Sequence, residues 1–210
     1  MADFKIKSAA GTGNKTLIQA QDQSGSNYAI EIGDGGALKL GTITSGTFPA
    51  GHVIGVENTI KLDTYTQSAT STPTAVTGLN VTITPKQTGS KILCIADFGL
   101  STDTGTGSGL AYLQRKVASG SYATIGAGTG ASNRVGVNAY MMPTDVREVD
   151  MITLQHLDSP SYTAGQTVTY TVSVSTQGSV VVYIGRTGSD VDAAYVGRMS
   201  SHITVMEVAQ

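Results

Sequence analysis

The sequence predicts an all-β protein: a small strand-containing N-terminal segment followed by a β-sandwich domain of jelly-roll-like type. Three observations carry this expectation. Charged residues make up only 13% of the 210 residues, about half the roughly 25% of an average globular chain. Ser, Thr and 26 glycines take their place. Lys, Glu, Arg and Gln favour helix while Thr, Val, Ile and Tyr favour strand, so a hydroxyl-rich surface points to sheets and turns. Apolar and polar residues also alternate with period two in several stretches, as in half-buried strands. Finally, Gly and Pro punctuate those stretches at regular intervals, the pattern of a sandwich or jelly roll.

The strands are taken in order. Residues 1–48 carry only short alternations: Phe4 and Ile6, then Tyr28, Ile30 and Ile32, then Leu38 and Leu40. Each is too short to fold alone, so this segment needs a partner surface. The boundary falls at Phe48-Pro49-Ala50-Gly51, and residues 49–210 form the main domain. There, Leu79, Val81 and Ile83 alternate with Asn80, Thr82 and Thr84. Val168, Tyr170, Val172 and Val174 alternate with Thr169, Thr171 and Ser173. The continuous apolar runs 92–96 and 180–184 suit strands covered on both faces, either in the core or at a subunit contact. Further strands are expected near 52–60, 110–117, 134–141, 149–157 and 202–208. The Gly-rich stretches 99–109, 126–130 and 185–189 read as loops, and a short turn at 190–195 is the most helix expected. All five prolines fall between the strands, where a missing N–H breaks no ladder.

Composition also excludes function classes. Net charge is -2 and no run of Lys or Arg exceeds two residues, so a nucleic-acid interface is not expected. No apolar run approaches the about 20 residues of a membrane-spanning helix. The start, Met1-Ala2-Asp3-Phe4-Lys5, has no apolar stretch of a secretory leader. Cys94 is the single cysteine, and its apolar neighbours make it a buried hydrophobe rather than a reactive thiol.

Apparent motifs fail on spacing. Gly11-Thr12-Gly13-Asn14-Lys15-Thr16 lacks the Gly before Lys and the earlier Gly of a phosphate loop. Gly126-Ala127-Gly128-Thr129-Gly130 has no strand and helix around it. His52, His156 and His202 lie far apart in the chain, unlike zinc ligands. Asp190 and Asp192 share one side of an extended segment but offer too few oxygens for calcium. Asp145, Arg147, Glu148 and Asp150 read as a solvated connection. No catalytic residues and no cofactor or metal are expected. Tyr122, Tyr162 and Tyr195 lie near expected loops and are the candidate contact residues, since loop tyrosines give rigid amphipathic area at low entropy cost.

A resemblance enters at this point. The string DFKIKSAAGTGNKTLIQAQDQSGSNYAIEIGDGG, residues 3–36, resembles the start of structural proteins of marine tailed phages. TFPAGHVI at 47–54 is similar to their junction into a C-terminal β domain. GLNVTITP, GSKILCIADF, LQHLDSP, VTYTVSV and HITVMEVA resemble strands of that domain, in order. The resemblance implies a virion structural protein: a homotrimer on the particle exterior, joined to capsid or tail proteins through residues 1–48. The short link between the two regions favours a short fibre, spike tip or capsid decoration over a long fibre. The alternative is a receptor-binding module recognising a host surface glycan or protein.

Overall fold

Period-two alternation sends every second side chain of a strand to the same face, and the inward set here forms one core. The computed structural model describes the backbone of residues 15–21, 27–32 and 38–40, and residues 49–210 apart from residue 164. Among the described residues the elements are strands, with no helix. The chain divides into two compact units, Met1–Thr47 and Phe48–Gln210.

The first unit contains β1 (Lys15–Gln21), β2 (Asn27–Ile32) and β3 (Leu38–Leu40), an antiparallel meander in that order. The expected alternations at 28–32 and 38–40 lie on β2 and β3. The one at Phe4 and Ile6 lies outside the described residues.

The second unit runs β4 (Val53–Lys61), β5 (Tyr65–Gln67), β6 (Thr74–Ile83), β7 (Lys91–Thr102), β8 (Ser108–Val117), β9 (Ala123–Thr124) and β10 (Ala139–Met141). It closes with β11 (Asp150–Asp158), β12 (Val168–Gln177), β13 (Val182–Ile184) and β14 (Ser201–Val208). Sheet I places β4, β14, β7 and β11 side by side, and β13 and β5 continue along the far half of β7. Sheet II places β6, β12, β8 and β10 side by side, with β9 on the same edge of β8 as β10. All pairings are antiparallel. Counting only the eight principal strands in chain order, sheet I runs first, eighth, third, sixth. Sheet II runs second, seventh, fourth, fifth. That is the order of a jelly roll, so the expected sandwich is present with its finer topology.

The core lies between the sheets. Leu79, Ile92, Phe98, Leu100, Leu113, Tyr170 and Ile203 are all fully buried there, each stabilising the fold by about 1.5–3 kcal/mol relative to exposure. Cys94 is among them, and burial, with the charge of Asp158 second, pushes its thiol up to about 12. The apolar run 92–96 splits by parity. Ile92, Cys94 and Ala96 enter the core, while Leu93 and Ile95 are half-buried on the outer face.

Two boundaries differ from expectation, and β6 is irregular. The Gly-rich stretch 99–109 is a loop only at 103–107, because Leu100–Thr102 pair with β13 and Gly109 pairs with β10 and β12. Cross-strand hydrogen bonding overrides the turn-forming composition there. Of the expected strand 134–141 only β10 forms. β6 carries a bulge, where its pairing with β12 skips from Asn80 to Ala75 and Gly78 sits at φ +80°, a conformation that side chains with Cβ resist.

Two buried polar contacts lock the sandwich. The Tyr170 hydroxyl on β12 donates to Asp158 Oδ2 on β11 at 2.8 Å, and Arg115 Nε on β8 lies 3.2 Å from the same oxygen. This links the two sheets at one end. Burial, followed by the Asp158 charge, raises the Tyr170 phenol far above its ordinary range. Glu207 on β14 is fully buried, and its carboxylate accepts the backbone N–H groups of Lys86 and Gln87 at 2.9 Å each. A carboxylate is an acceptor with no donor requirement, which suits a turn that presents two N–H groups. Glu207→Ala is expected to destabilise the domain by about 2–4 kcal/mol, since each orphaned buried donor costs about 1–3 kcal/mol. Urea unfolding should show a lower midpoint with an unchanged slope.

Candidate functional site

The outer faces of the two sheets differ in chemistry. On sheet II the small hydroxyl residues of β12 are zipped to longer neighbours. Ser175 Oγ and the Tyr112 hydroxyl are 3.1 Å apart, Ser173 Oγ donates to Gln114 Oε1 at 2.6 Å, and Thr169 and Thr82 hydroxyls meet at 2.9 Å. Thr171, Ser173 and Ser175 are thereby buried on what would otherwise be a solvent face. A buried hydroxyl needs such a partner, because leaving it unpaired costs more than the bond yields.

The connection from β8 to β10, residues 118–138, is long for a compact domain, and connections beyond about 12–15 residues are usually functional or unstructured. This one is built. Its first limb pairs with β8 through β9, and the Ile125 amide donates to the Leu113 carbonyl at 2.9 Å. Asn138 then stands in for a strand residue: its Oδ1 accepts the Leu113 amide and its Nδ2 donates to the Ile125 carbonyl, both at 2.9 Å. Beyond this clasp residues 126–137 form a flap. Gly128 donates to Val137, and Ala131 and Arg134 exchange backbone hydrogen bonds of 3.0 Å across the tip. The limbs approach so closely at Gly136 that a Cβ there would collide with the Gly128 carbonyl.

A cleft of about 520 Å³ opens between the flap and the outer face of sheet II. Leu110 and Tyr140, cross-strand partners on β8 and β10, line it together with Val135 of the flap. Asn133, Arg134 and Gln177 supply polar groups around them. Tyr140 is 66% exposed, so its ring is presented rather than packed away. Arg134 is the one charged residue in the lining.

The outer face of sheet I carries an apolar row. Register places Val56 opposite Met206, Met206 opposite Leu93, and Leu93 opposite Leu157. One apolar row therefore crosses all four strands. Ile95 and Val208 flank it, and Val53, Ile60 and Met151 extend it with about half their surface exposed. At about 4.8 Å between strands and about 3.4 Å per residue, the whole four-strand face covers roughly 600 Å², and Asn58, Thr204, Asp97, Thr153 and Gln155 share it with the row.

The three candidate tyrosines do not form one surface. Tyr162 turns inward, donating its hydroxyl to the Gln87 carbonyl at 2.8 Å and lying 3.3 Å from that of Ser90. Tyr122 is half-buried with the Lys116 ammonium 5.0 Å above its ring. Tyr195 is 77% exposed but sits in the β13–β14 loop, at the opposite end of the sandwich from the other two. His156 faces the sandwich interior, His202 faces outward, and His52 precedes β4. Asp190 is held by Arg198 at 2.7 Å and Arg186 at 3.2 Å, which keeps its carboxyl below the usual range. The acidic connection is solvated as expected, with Glu148 accepting from Thr144.

Sequence reading missed Tyr140, Arg134 and the row through Leu93. The length of the 118–138 connection was the available signal for the flap. No family model matches the chain, and no curated protein is significantly similar to it.

Asn138→Ala is expected to unclasp the flap and destabilise the domain by about 1–3 kcal/mol, because the Leu113 amide loses its acceptor. Hydrogen exchange should accelerate at Leu113 and through 125–137, and stay unchanged in β6, β7 and β14.

Proposed function

We propose that this chain is a non-enzymatic structural component of a tailed-phage virion. It is a short fibre, spike tip or capsid decoration, attached through residues 1–48 and exposing the jelly roll on the particle exterior. The observation that carries the reading is the apolar row across sheet I, on a domain preceded by a separate strand unit. An exposed apolar row shared by four strands of one sheet face is a candidate contact surface. The four-strand face that carries it covers roughly 600 Å², against about 800 Å² per partner in a stable interface. The occupant we assign is a second copy of this chain, and the resemblance of the sequence to phage structural proteins makes the assembly a homotrimer.

Light scattering on the full-length chain tests the assembly. The expected mass is three times the 21.6 kDa monomer, and Leu93→Glu should convert it to monomer without unfolding. A wild-type monomer would sink the trimer, and a Leu93→Glu trimer would move the contact elsewhere. Deleting residues 1–48 should leave the jelly roll folded and abolish incorporation into particles. A deletion variant that still incorporates would overturn the anchor.

The second reading is a receptor-binding module for a host surface glycan or protein. The cleft under the flap favours it, because ligand sites combine an apolar lining with a few convergent polar groups.

A further inference from the structure

We infer that the cleft under the flap is a saccharide subsite, and that the unit it takes carries a carboxylate. The inference rests on the receptor-binding reading and gives it a place and a ligand class. The cleft's about 520 Å³ falls within the about 300–1,000 Å³ of small-ligand sites.

The lining matches a ring with apolar faces and a polar rim. Tyr140 and Leu110 stand side by side through the β8–β10 register and provide a flat apolar floor. An exposed tyrosine gives that area with only two torsions to fix. Asn133 and Gln177 are exposed at the margin, and each amide offers both donors and acceptors. Sugar hydroxyls demand that mixture, whereas a purely aliphatic ligand would strand those amides. An extended peptide would pair along a strand edge, whereas Tyr140 and Leu110 line the cleft from the face of sheet II through their side chains.

Charge narrows the class. No carboxylate lines the cleft, and Arg134 is its single charge. Arg134 lies at the flap tip, where its Nε donates to the Ala131 carbonyl at 3.4 Å. Its Nη groups make no hydrogen bond among the described residues. A guanidinium tethered through Nε still presents amino groups to a carboxylate. A uronic or sialic-type acid therefore satisfies the floor, the margin and the charge together.

The test is saturation-transfer NMR on the full-length chain with four probes: D-glucuronic acid, N-acetylneuraminic acid, D-glucose and N-acetylglutamate amide. The two sugar acids are expected to receive saturation on their ring protons, with glucose weaker and the amino-acid derivative silent. Tyr140→Ala should weaken glucuronate binding at least about tenfold, equivalent to 1.4 kcal/mol, and Tyr140→Phe should retain it. Arg134→Gln should bring glucuronate down to the level of glucose. Both side chains are exposed, so these variants fold. Sugar binding that survives Tyr140→Ala would overturn the cleft as the site, and equal response to N-acetylglutamate amide would overturn the saccharide class. Absence of any sugar signal, while the labelled protein still adsorbs to host cells, would overturn this inference and leave the receptor reading standing. Absence of both would remove the receptor reading as well.

Discussion

The jelly roll depends on β14 lying between β4 and β7. β14 is one of the two inner strands of sheet I, hydrogen-bonded along its length to one neighbour from the start of the domain and one from its middle. The Asn58 side chain adds to that ladder by donating to the Thr204 hydroxyl, across 146 positions of sequence. Glu207, near the end of the same strand, holds the turn that leads into β7. Sheet I cannot close until this strand arrives. Such long-range pairing incurs its loop-closure entropy before its contacts form, so slow folding is the expectation for this topology. The same topology means that unfolding must extract an inner strand, which is a route to kinetic stability.

The low charge content has a different meaning in three dimensions from the one composition suggests. Read from sequence, Ser and Thr are an uncharged surface. In the fold a share of them is an interior layer: Thr171, Ser173 and Ser175 have no exposed surface. Side chains from β8 cross over β12 and accept or share their hydroxyl hydrogens. Sheet II thus covers its central strand with hydrogen-bonded side chains instead of a third layer. Charge would be unsuitable at those positions, since a buried ion without a partner is costly to desolvate.

Much of this was legible in the sequence, and the limits have a physical cause. The alternations at Leu79–Ile83 and Val168–Val174 identify strands because period two is a local property. Cys94 reads as buried because its neighbours are apolar on both parities. The same double parity left open whether 92–96 belonged to core or contact. One parity enters the core and the other lies on the outer face of sheet I, and only register could say so. Val56, Leu93, Leu157 and Met206 form a row because four pairings align them, although nothing local marks any one of them. The flap was hidden for a related reason. Gly126–Gly130 looks flexible, but Asn138, eight residues beyond it, clasps its base to Leu113 and Ile125.

The two outer faces also bear on each other. Sheet I carries an apolar row across its four strands, and sheet II a layer of hydrogen-bonded hydroxyls beside the cleft under the flap. In a sandwich these faces point in opposite directions. Copies joined through the row on sheet I would leave the cleft of sheet II open to solvent on every copy. In that arrangement the proposed contact and the proposed ligand site would draw on separate residues, and a change at Leu93 need not disturb Tyr140. A repeated cleft also converts a weak single-site affinity into a stronger one when the target surface carries many copies of its ligand, because the second engagement is intramolecular. On the proposed assembly, a shallow, exposed site of this kind would suffice where a lone module would need a deeper one.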